Sequence, residues 1–367
     1  MKKVAAFCKK EIVLTVALAA ALLSMCVIPP DAAYAGYVDW DVLMLLFSLM
    51  TVVGGLKRCG LMDRMSNALI RRAGDSRMLC LVLTMACFFS AMLVTNDVAL
   101  ITFVPLTAAL LGHAHRTLIL TVTLETIAAN LGSMATPIGN PQNLYLYAHY
   151  SMPMGTFLRA VGPLTLVSLV LTAAGCLLVK REAVQAPAAC EEKGVKTTAL
   201  WLHGAQFAVC LLAVFNVLPK WVSFAAVLLT SLLYDRTLIR EVDYALLATF
   251  VCFFVFVGNL GRVEAVSQML GSVIAGRELE VGILASQVIS NVPAALMLSG
   301  FTENAAALMR GVDLGGLGTL VASLASLISF KLYMKAPGSK AGRYMAVFTV
   351  MNIAFLTVLY LLAKCGV

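Results

Sequence analysis

Two short strings place polar side chains where the surrounding chain is apolar. Thr95-Asn96-Asp97 interrupts the apolar stretch 79–111, and a longer break between Asn130 and Asn143 interrupts the stretch 117–148. The longer one reads Asn130-Leu131-Gly132-Ser133-Met134-Ala135-Thr136-Pro137-Ile138-Gly139-Asn140-Pro141-Gln142-Asn143. Its two prolines and two glycines do not fit an unbroken helix interior. Unwound backbone there offers carbonyls to a cation such as Na+. A half-helix restarting after Pro141 offers N–H groups and a positive dipole end to an anion. Thr, Asn and Asp are also the residue types that cap helix starts. Capping does not require a carboxylate, however, and a charge at this depth costs roughly 2.5–3.5 kcal/mol on the insertion scale. Asp97 is therefore a functional candidate, with Glu125 and Asp313 as candidates for a proton relay. Glu303 reads as interfacial, and His113 and His115, beside Arg116, as a solvated turn.

Both strings have counterparts later in the chain, in the same order. Ser290-Asn291-Val292-Pro293 answers 95–98, and the glycine-rich stretch Gly311 to Thr319 answers the longer break, with Gly318 and Thr319 near its end. Ser323 and Ser326 stand where Asn140 and Asn143 stand. Upstream, Asp39-Trp40 opens an apolar run ending Val53-Gly54-Gly55-Leu56, and Asp243-Tyr244 opens another ending Val257-Gly258-Asn259-Leu260. The offsets are 204, 195 and 183 residues. An internal repeat in an apolar chain, broken at matching places, is the sequence mark of a secondary transporter. The copies are not equivalent, since Val292 replaces the carboxylate of Asp97.

The elements that must carry these breaks follow from composition. The chain is 61% hydrophobic and 13% charged, against about one quarter charged in soluble domains. Apolar spans at 12–28, 41–56, 117–148, 157–179, 200–217, 222–234, 244–260, 303–330 and 344–364 predict an all-α polytopic membrane protein with about nine full spans. The stretches 79–111 and 281–301 read as re-entrant hairpins, and 117–148 and 303–330 as broken helices. Lys and Arg cluster in alternate connections: Lys2 to Lys10, Lys57 to Arg77, Lys180 to Lys196, Arg236 with Arg240, and Lys331 to Arg343. If each hairpin returns to the face it entered from, all these clusters share one side, which the positive-inside rule makes cytoplasmic. Lys220, Arg262 and Arg277 are the exceptions. The two copies then run in opposite senses, as an inverted repeat. The expected division is 1–36 as an N-terminal helix or cleaved signal peptide, 37–180 as the first repeat, 181–199 as a cytoplasmic linker and 200–367 as the second repeat. The protein is expected in the cytoplasmic membrane, with a cytoplasmic N-terminus if residues 1–36 are retained.

Other classes fit poorly. The net charge of +8 lies between spans rather than on a basic stripe, so no nucleic-acid partner is expected. The ten cysteines are scattered without a Cys-x-x-Cys pair, which favours packing over metal or disulfide use. There is no His-Glu-x-x-His and no Gly-x-Gly-Asp, and four histidines are too few for most enzymatic sets. A channel is the remaining alternative. The expected partners are a small inorganic or organic anion and membrane lipid. No cofactor is expected beyond a coupling Na+ or H+.

Thr-Asn-Asp-Val-Ala-Leu at 95–100 and Ala-Thr-Pro-Ile-Gly-Asn-Pro-Gln-Asn at 135–143 resemble motifs of the ion transporter superfamily. That group comprises arsenite permeases, sodium/proton antiporters, citrate-metal permeases and divalent anion/sodium symporters. Gly-Gly-Leu-Gly-Thr-Leu-Val-Ala-Ser-Leu-Ala-Ser at 315–326 looks most like the arsenite-permease branch. The resemblance implies one ion site lined by Thr95, Asn96, Ala135, Thr136, Gly139 and Asn143, with Pro137, Asn140 and Asp97 beside it. Sodium would sit at Thr95, Asn96, Thr136 and Asn143. It implies a pseudo-symmetric partner lined by Ser290, Asn291, Gly318, Thr319 and Ser323, and it raises a homodimer as an expectation. Asp97 departs from the symporter pattern, where a neutral Thr is expected. Without a Lys or Arg in the breaks, a carboxylate there repels a dianion unless a cation or proton neutralises it. This favours a cation-coupled site or a weakly charged oxyacid. Asp97→Asn is expected to abolish cation-coupled transport while leaving folding intact; near-normal coupled flux in that variant would remove Asp97 from its assigned role.

Overall fold

A computed structural model describes residues 11–60, 74–112, 114–182 and 197–366, and within them every regular element is helical. The basic residues Lys2 to Lys10, Arg64 to Arg72, Lys193 and Lys196, together with His113 and most of the expected linker, lie outside the described residues. The first half runs α1 (Ile12–Val27), α2 (Trp40–Arg58), α3 (Ser76–Val94), α4 (Asn96–Leu111), α5 (His115–Ser133), α6 (Pro141–His149) and α7 (Met154–Gly175). The second runs α8 (Thr197–Val214), α9 (Lys220–Tyr234), α10 (Thr237–Glu241), α11 (Tyr244–Arg262), α12 (Glu264–Ile274), α13 (Glu278–Ile289), α14 (Asn291–Ser299), α15 (Ala305–Gly315), α16 (Leu324–Tyr333) and α17 (Ala341–Lys364).

Among the described residues six helices are long and apolar enough to cross a membrane: α2, α3, α7 with its terminal turn, α8, α11 and α17. One of them, α3, is a hairpin arm. The remaining spans are α1, α9 and the two broken helices, α5 with α6 and α15 with α16. Cap residues set the helix starts. Asp39 accepts from Val42 N–H and Asp243 from Leu246 N–H, 204 residues apart, so the matched scaffold helices α2 and α11 begin alike. The connection between the 244–260 span and the second hairpin contains α12. Its Ile274 is buried while Met269 and Val273 are exposed, and its 11 residues are too few to span. α1 packs on α11, where Asn259 Nδ2 donates to Ser24 Oγ and Tyr34 Oη.

Both helical pairs return to the face they start from. Ser76, at the head of α3, donates to Lys180 O, and Arg77 donates to Val179 O. The cavity beside that segment is lined by Ala114 to Thr117, which follow the end of α4. In the second pair, Thr302, just past α14, donates to Glu278 at the head of α13. The 24 residues of α17 span about 36 Å and connect the two mouths. At its N-terminal end Gly338 lies against His115, which is half-buried rather than in a solvated turn. At its C-terminal end Lys364 ion-pairs Glu280 at 2.9 Å. The hairpins therefore enter from opposite faces, as an inverted repeat requires.

Packing crosses between the halves. α3 lies on α5 and α13 on α15, but α4 packs on α16 and α14 on α6. Two large apolar clusters result, and each broken helix passes from one to the other at its break. Leu131 and Met134 belong to one and Ile138 and Leu144 to the other; Met309 and Val312 belong to the second, Leu314 and Leu317 to the first. Between α3 and α8 lies an apolar cleft of about 810 Å3 lined by Leu81, Met85, Phe89, Leu93, Trp201 and Phe207. At the far end of α2, Arg58 is held by Asp235 at 2.7 Å and by Thr237 and Glu241. The Thr237 hydroxyl and then Arg58 hold the Asp235 carboxyl below its usual range.

Opposed mouths make a labelling prediction. In a background without native cysteines, Arg277→Cys and Lys340→Cys are expected to react with an impermeant maleimide from opposite sides, Arg277→Cys in intact cells. Labelling of both from one side would rule out the opposed hairpins.

Candidate functional site

The two hairpin tips have one backbone shape. Thr95 adopts φ 79°, ψ 151° and Ser290 φ 75°, ψ 153°, a region that glycine occupies readily and other residues hold at a cost of order 1–3 kcal/mol. Each tip then presents the next asparagine to a broken helix. Asn96 N–H donates to Gly139 O at 3.2 Å, and Asn291 N–H donates to Ala322 O at 2.9 Å. The threonines of the breaks answer in kind: Thr136 Oγ1 donates to Met92 O at 2.5 Å and Thr319 Oγ1 to Gln287 O at 3.4 Å. Every partner is displaced by 195 residues on the hairpin and 183 on the broken helix. Four half-helix ends thus find partners within the protein, three through buried or half-buried groups and the fourth through the exposed Thr319.

Small residues permit this approach. A Cβ on Gly132 would stand 2.2 Å from Phe88 O of α3, and one on Gly139 2.1 Å from Ser133 O. Asn140 caps α6, its Oδ1 accepting from Asn143 N–H at 2.8 Å, and its Nδ2 donates to Ser133 Oγ and to Asp313 Oδ1. Ala135 closes a turn on Gly132 O, and Pro137 is buried. In the second half Gly318, at φ 110°, lies against Gln287. That side chain donates to Gly315 O and Leu317 O and accepts from Thr319 N–H. Ser290 Oγ donates to Ala322 O at 3.4 Å.

Three residues absent from the predicted set hold the site together. Asn130 sits at its centre: its Oδ1 accepts from Asn96 Nδ2 and Ser323 Oγ, both at 3.1 Å, and its Nδ2 donates to Ser326 Oγ and Gly316 O. Gln287 pins the second break, and Gln142 donates to Asp313. Asn130 was legible through the 183-residue offset that pairs it with Asp313; Gln287 pairs with the uninformative Met92.

Other expectations are placed differently. Asp97 takes the first turn of α4, where its N–H donates to Asn96 Oδ1; its own Oδ1 is buried without a hydrogen-bond partner. It forms no hydrogen bond with any other predicted site side chain. Thr95, Asn96, Thr136 and Asn143, assigned to sodium by resemblance, share no hydrogen bond with one another: Asn143 Nδ2 reaches Met134 O instead. Glu125 is fully buried in α5, where Thr107 donates to Oε1 and Oε2 has no partner. No hydrogen bond links it to Asp313. Among the described residues no group of His, Cys, Asp or Glu is arranged to hold a metal.

Two opposed hairpins whose tips bond to two broken helices define a polytopic membrane transport protein. Comparison with known proteins agrees. Residues 4–328 match the citrate transporter family, and the chain belongs to that family. It is 30% identical over 333 residues to an uncharacterized transporter of Methanocaldococcus jannaschii, covering 89% of this chain and 90% of that one. A silicon efflux transporter of Oryza sativa, LSI3, is 36% identical over 146 residues, 39% of this chain and 29% of its own. The crystal structure of the Alcanivorax borkumensis YdaH transporter aligns with TM-score 0.59 at 14% identity, over 90% of this chain and 86% of that one, a likeness of fold.

The Gly132 approach is testable. Gly132→Ala is expected to lower the melting temperature of the purified protein by several degrees, since overpacking a tight interior costs about 1–3 kcal/mol. Gly155→Ala, with nothing within 4 Å, should leave it unchanged. Equal melting of both variants would dismiss the contact with Phe88.

Proposed function

We propose that the protein is a secondary active transporter that moves a small anion or oxyanion by alternating access, coupled to Na+ or H+. The observation that carries this reading is the pair of equivalent bonds, Asn96 N–H to Gly139 O and Asn291 N–H to Ala322 O, made by hairpins that enter from opposite faces. A structure built of two such halves has two related arrangements, and exchanging them exposes one central site to either side in turn. Family membership supports transport of a small molecule. The predominance of basic residues at the mouth of the first hairpin supports a cytoplasmic placement for that face of a multi-pass membrane protein.

Electrostatics narrows the cargo. The central side chains are amides and hydroxyls, with Asp97 and Asp313 as carboxylates and, among the described residues, no Lys or Arg bonded to them. Helix starts at Pro141 and Leu324 supply partial positive charge of about half a unit each. That suits a neutral or singly charged oxyacid better than a bare trianion, and the named silicon efflux relative is consistent with such a cargo. A di- or tricarboxylate symporter, in keeping with the family's name, is the second reading and needs bound cations to offset the carboxylates; a Na+/H+ antiporter is the third.

Proteoliposomes loaded under separate Na+ and H+ gradients, with silicate, arsenite, citrate and succinate as cargoes, are expected to accumulate one of these only when a cation gradient is imposed. Accumulation indifferent to both gradients, or single-channel currents far above transporter turnover, would overturn coupled transport.

A further inference from the structure

Three side chains of α5 form a polar column inside an apolar core. Thr117, Thr121 and Glu125 follow one another at intervals of four, which places them on one face of the helix. Thr117 is 5% exposed and the other two are 0% exposed. The column starts at the mouth of the first hairpin, in a cavity of about 230 Å3 lined by His115, Arg116, Thr117, Lys180 and Glu182. By the helix rise Glu125 lies about 12 Å deeper. Successive members stand about 6 Å apart, a gap that one water bridges.

The column ends in a carboxyl that the polar layer of the breaks does not use. Thr107 of α4 donates to Glu125 Oε1, while Oε2 is buried without a partner. The hydroxyl of Thr121, one turn nearer the mouth, is also buried without a partner. The ionisable groups near enough to act on the carboxyl are Cys80 and Cys87 of α3, Cys176 after α7 and Tyr344 of α17. The other helices packed on α5, which are α4, α15 and α16, bring none to it among the described residues. No Lys, Arg or His is in that set.

An ionised carboxylate here would be a buried charge with one donor and no counter-ion, a costly state. A metal cation needs several oxygen ligands. The side chains around Glu125 supply thiols and two hydroxyls, and no described group of His, Cys, Asp or Glu is arranged to hold a metal. A proton removes the charge with a single atom. The repeat does not copy the arrangement: at the offset of 183 residues Glu125 corresponds to the buried Leu308, and Thr121 to Asn304.

We infer that Glu125 holds the coupling proton, taken up from the mouth of the first hairpin along Thr117 and Thr121. The inference rests on the reading of the chain as a cation-coupled transporter. It selects the proton as the ion and places its site in the first half alone, away from the hairpin tips.

The first test uses the purified full chain in detergent, without cargo, and follows the infrared carbonyl stretch of protonated carboxyl groups. At neutral pH the wild type is expected to show a component that Glu125→Gln removes and that Asp97→Asn and Asp313→Asn leave in place. Thr107→Val, which deletes the donor to Oε1, should move that component to higher frequency, an assignment that does not require Glu125→Gln to fold. In deuterium oxide, Thr117→Val and Thr121→Val should slow its isotope shift several-fold. In proteoliposomes under an imposed pH gradient, Glu125→Gln should lose at least tenfold in cargo accumulation. A spectrum unchanged by Glu125→Gln, an isotope shift indifferent to both threonines, or full pH-driven accumulation by Glu125→Gln would overturn the inference. A Glu125 component in a wild type that accumulates no cargo under any gradient would keep the proton site and overturn coupled transport.

Discussion

Hydrocarbon offers no hydrogen bonds, and the two hairpin tips and two breaks of this structure end eight helices within the protein. Each end leaves backbone groups that would cost several kcal/mol apiece if unmet. The solution is reciprocal: the hairpin tip of each half gives an asparagine N–H to the broken helix beside it, and the threonine of that break gives its hydroxyl back to the hairpin. The strained φ of Thr95 and Ser290 is what aims those N–H groups. The tight glycines at 132 and 139 are what let the backbones meet. Remove that mutual satisfaction and neither the breaks nor the tips have a reason to persist at this depth.

The second feature that organises the molecule is the crossing of the halves. Because α4 lies on α16 and α14 on α6, neither repeat closes its own apolar surface. The polar layer falls where each broken helix changes from one apolar cluster to the other. Buried amides and hydroxyls there bond across the halves, as Asn130 does to Ser323 and Ser326 and as Asn140 does to Asp313. A polar layer shared in this way fixes the register of one half against the other.

Much of the architecture was legible in the sequence because membrane constraints are blunt. Apolar run lengths located the spans, and basic clusters ordered the connections so that opposed hairpins followed. The matched breaks located both tips and both broken helices to within a few residues. What was not legible came from side-chain geometry. Asn96, Thr136 and Asn143 are close in motif, yet their side chains donate to three different partners, Asn130, Met92 O and Met134 O. Gln287 lies in an apolar helix opposite a methionine in the other half, so neither repeat nor composition marked it. The repeat offset marks the position of Asn130, but an asparagine in an apolar run does not announce its four partners. The amphipathic α12, only 11 residues long, is too short to read as a span.

The cleft between α3 and α8 sets the terms on which the first hairpin can travel. Its walls are Leu, Met, Phe and Trp side chains, and among the described residues no hydrogen bond or ion pair joins the two helices. A hairpin sliding along such a wall trades one apolar neighbour for another and breaks nothing directional. Directional bonds to this hairpin gather instead at its tip, where Asn96 and Met92 are tied to the first broken helix, so that is where any displacement of the hairpin would have to break hydrogen bonds.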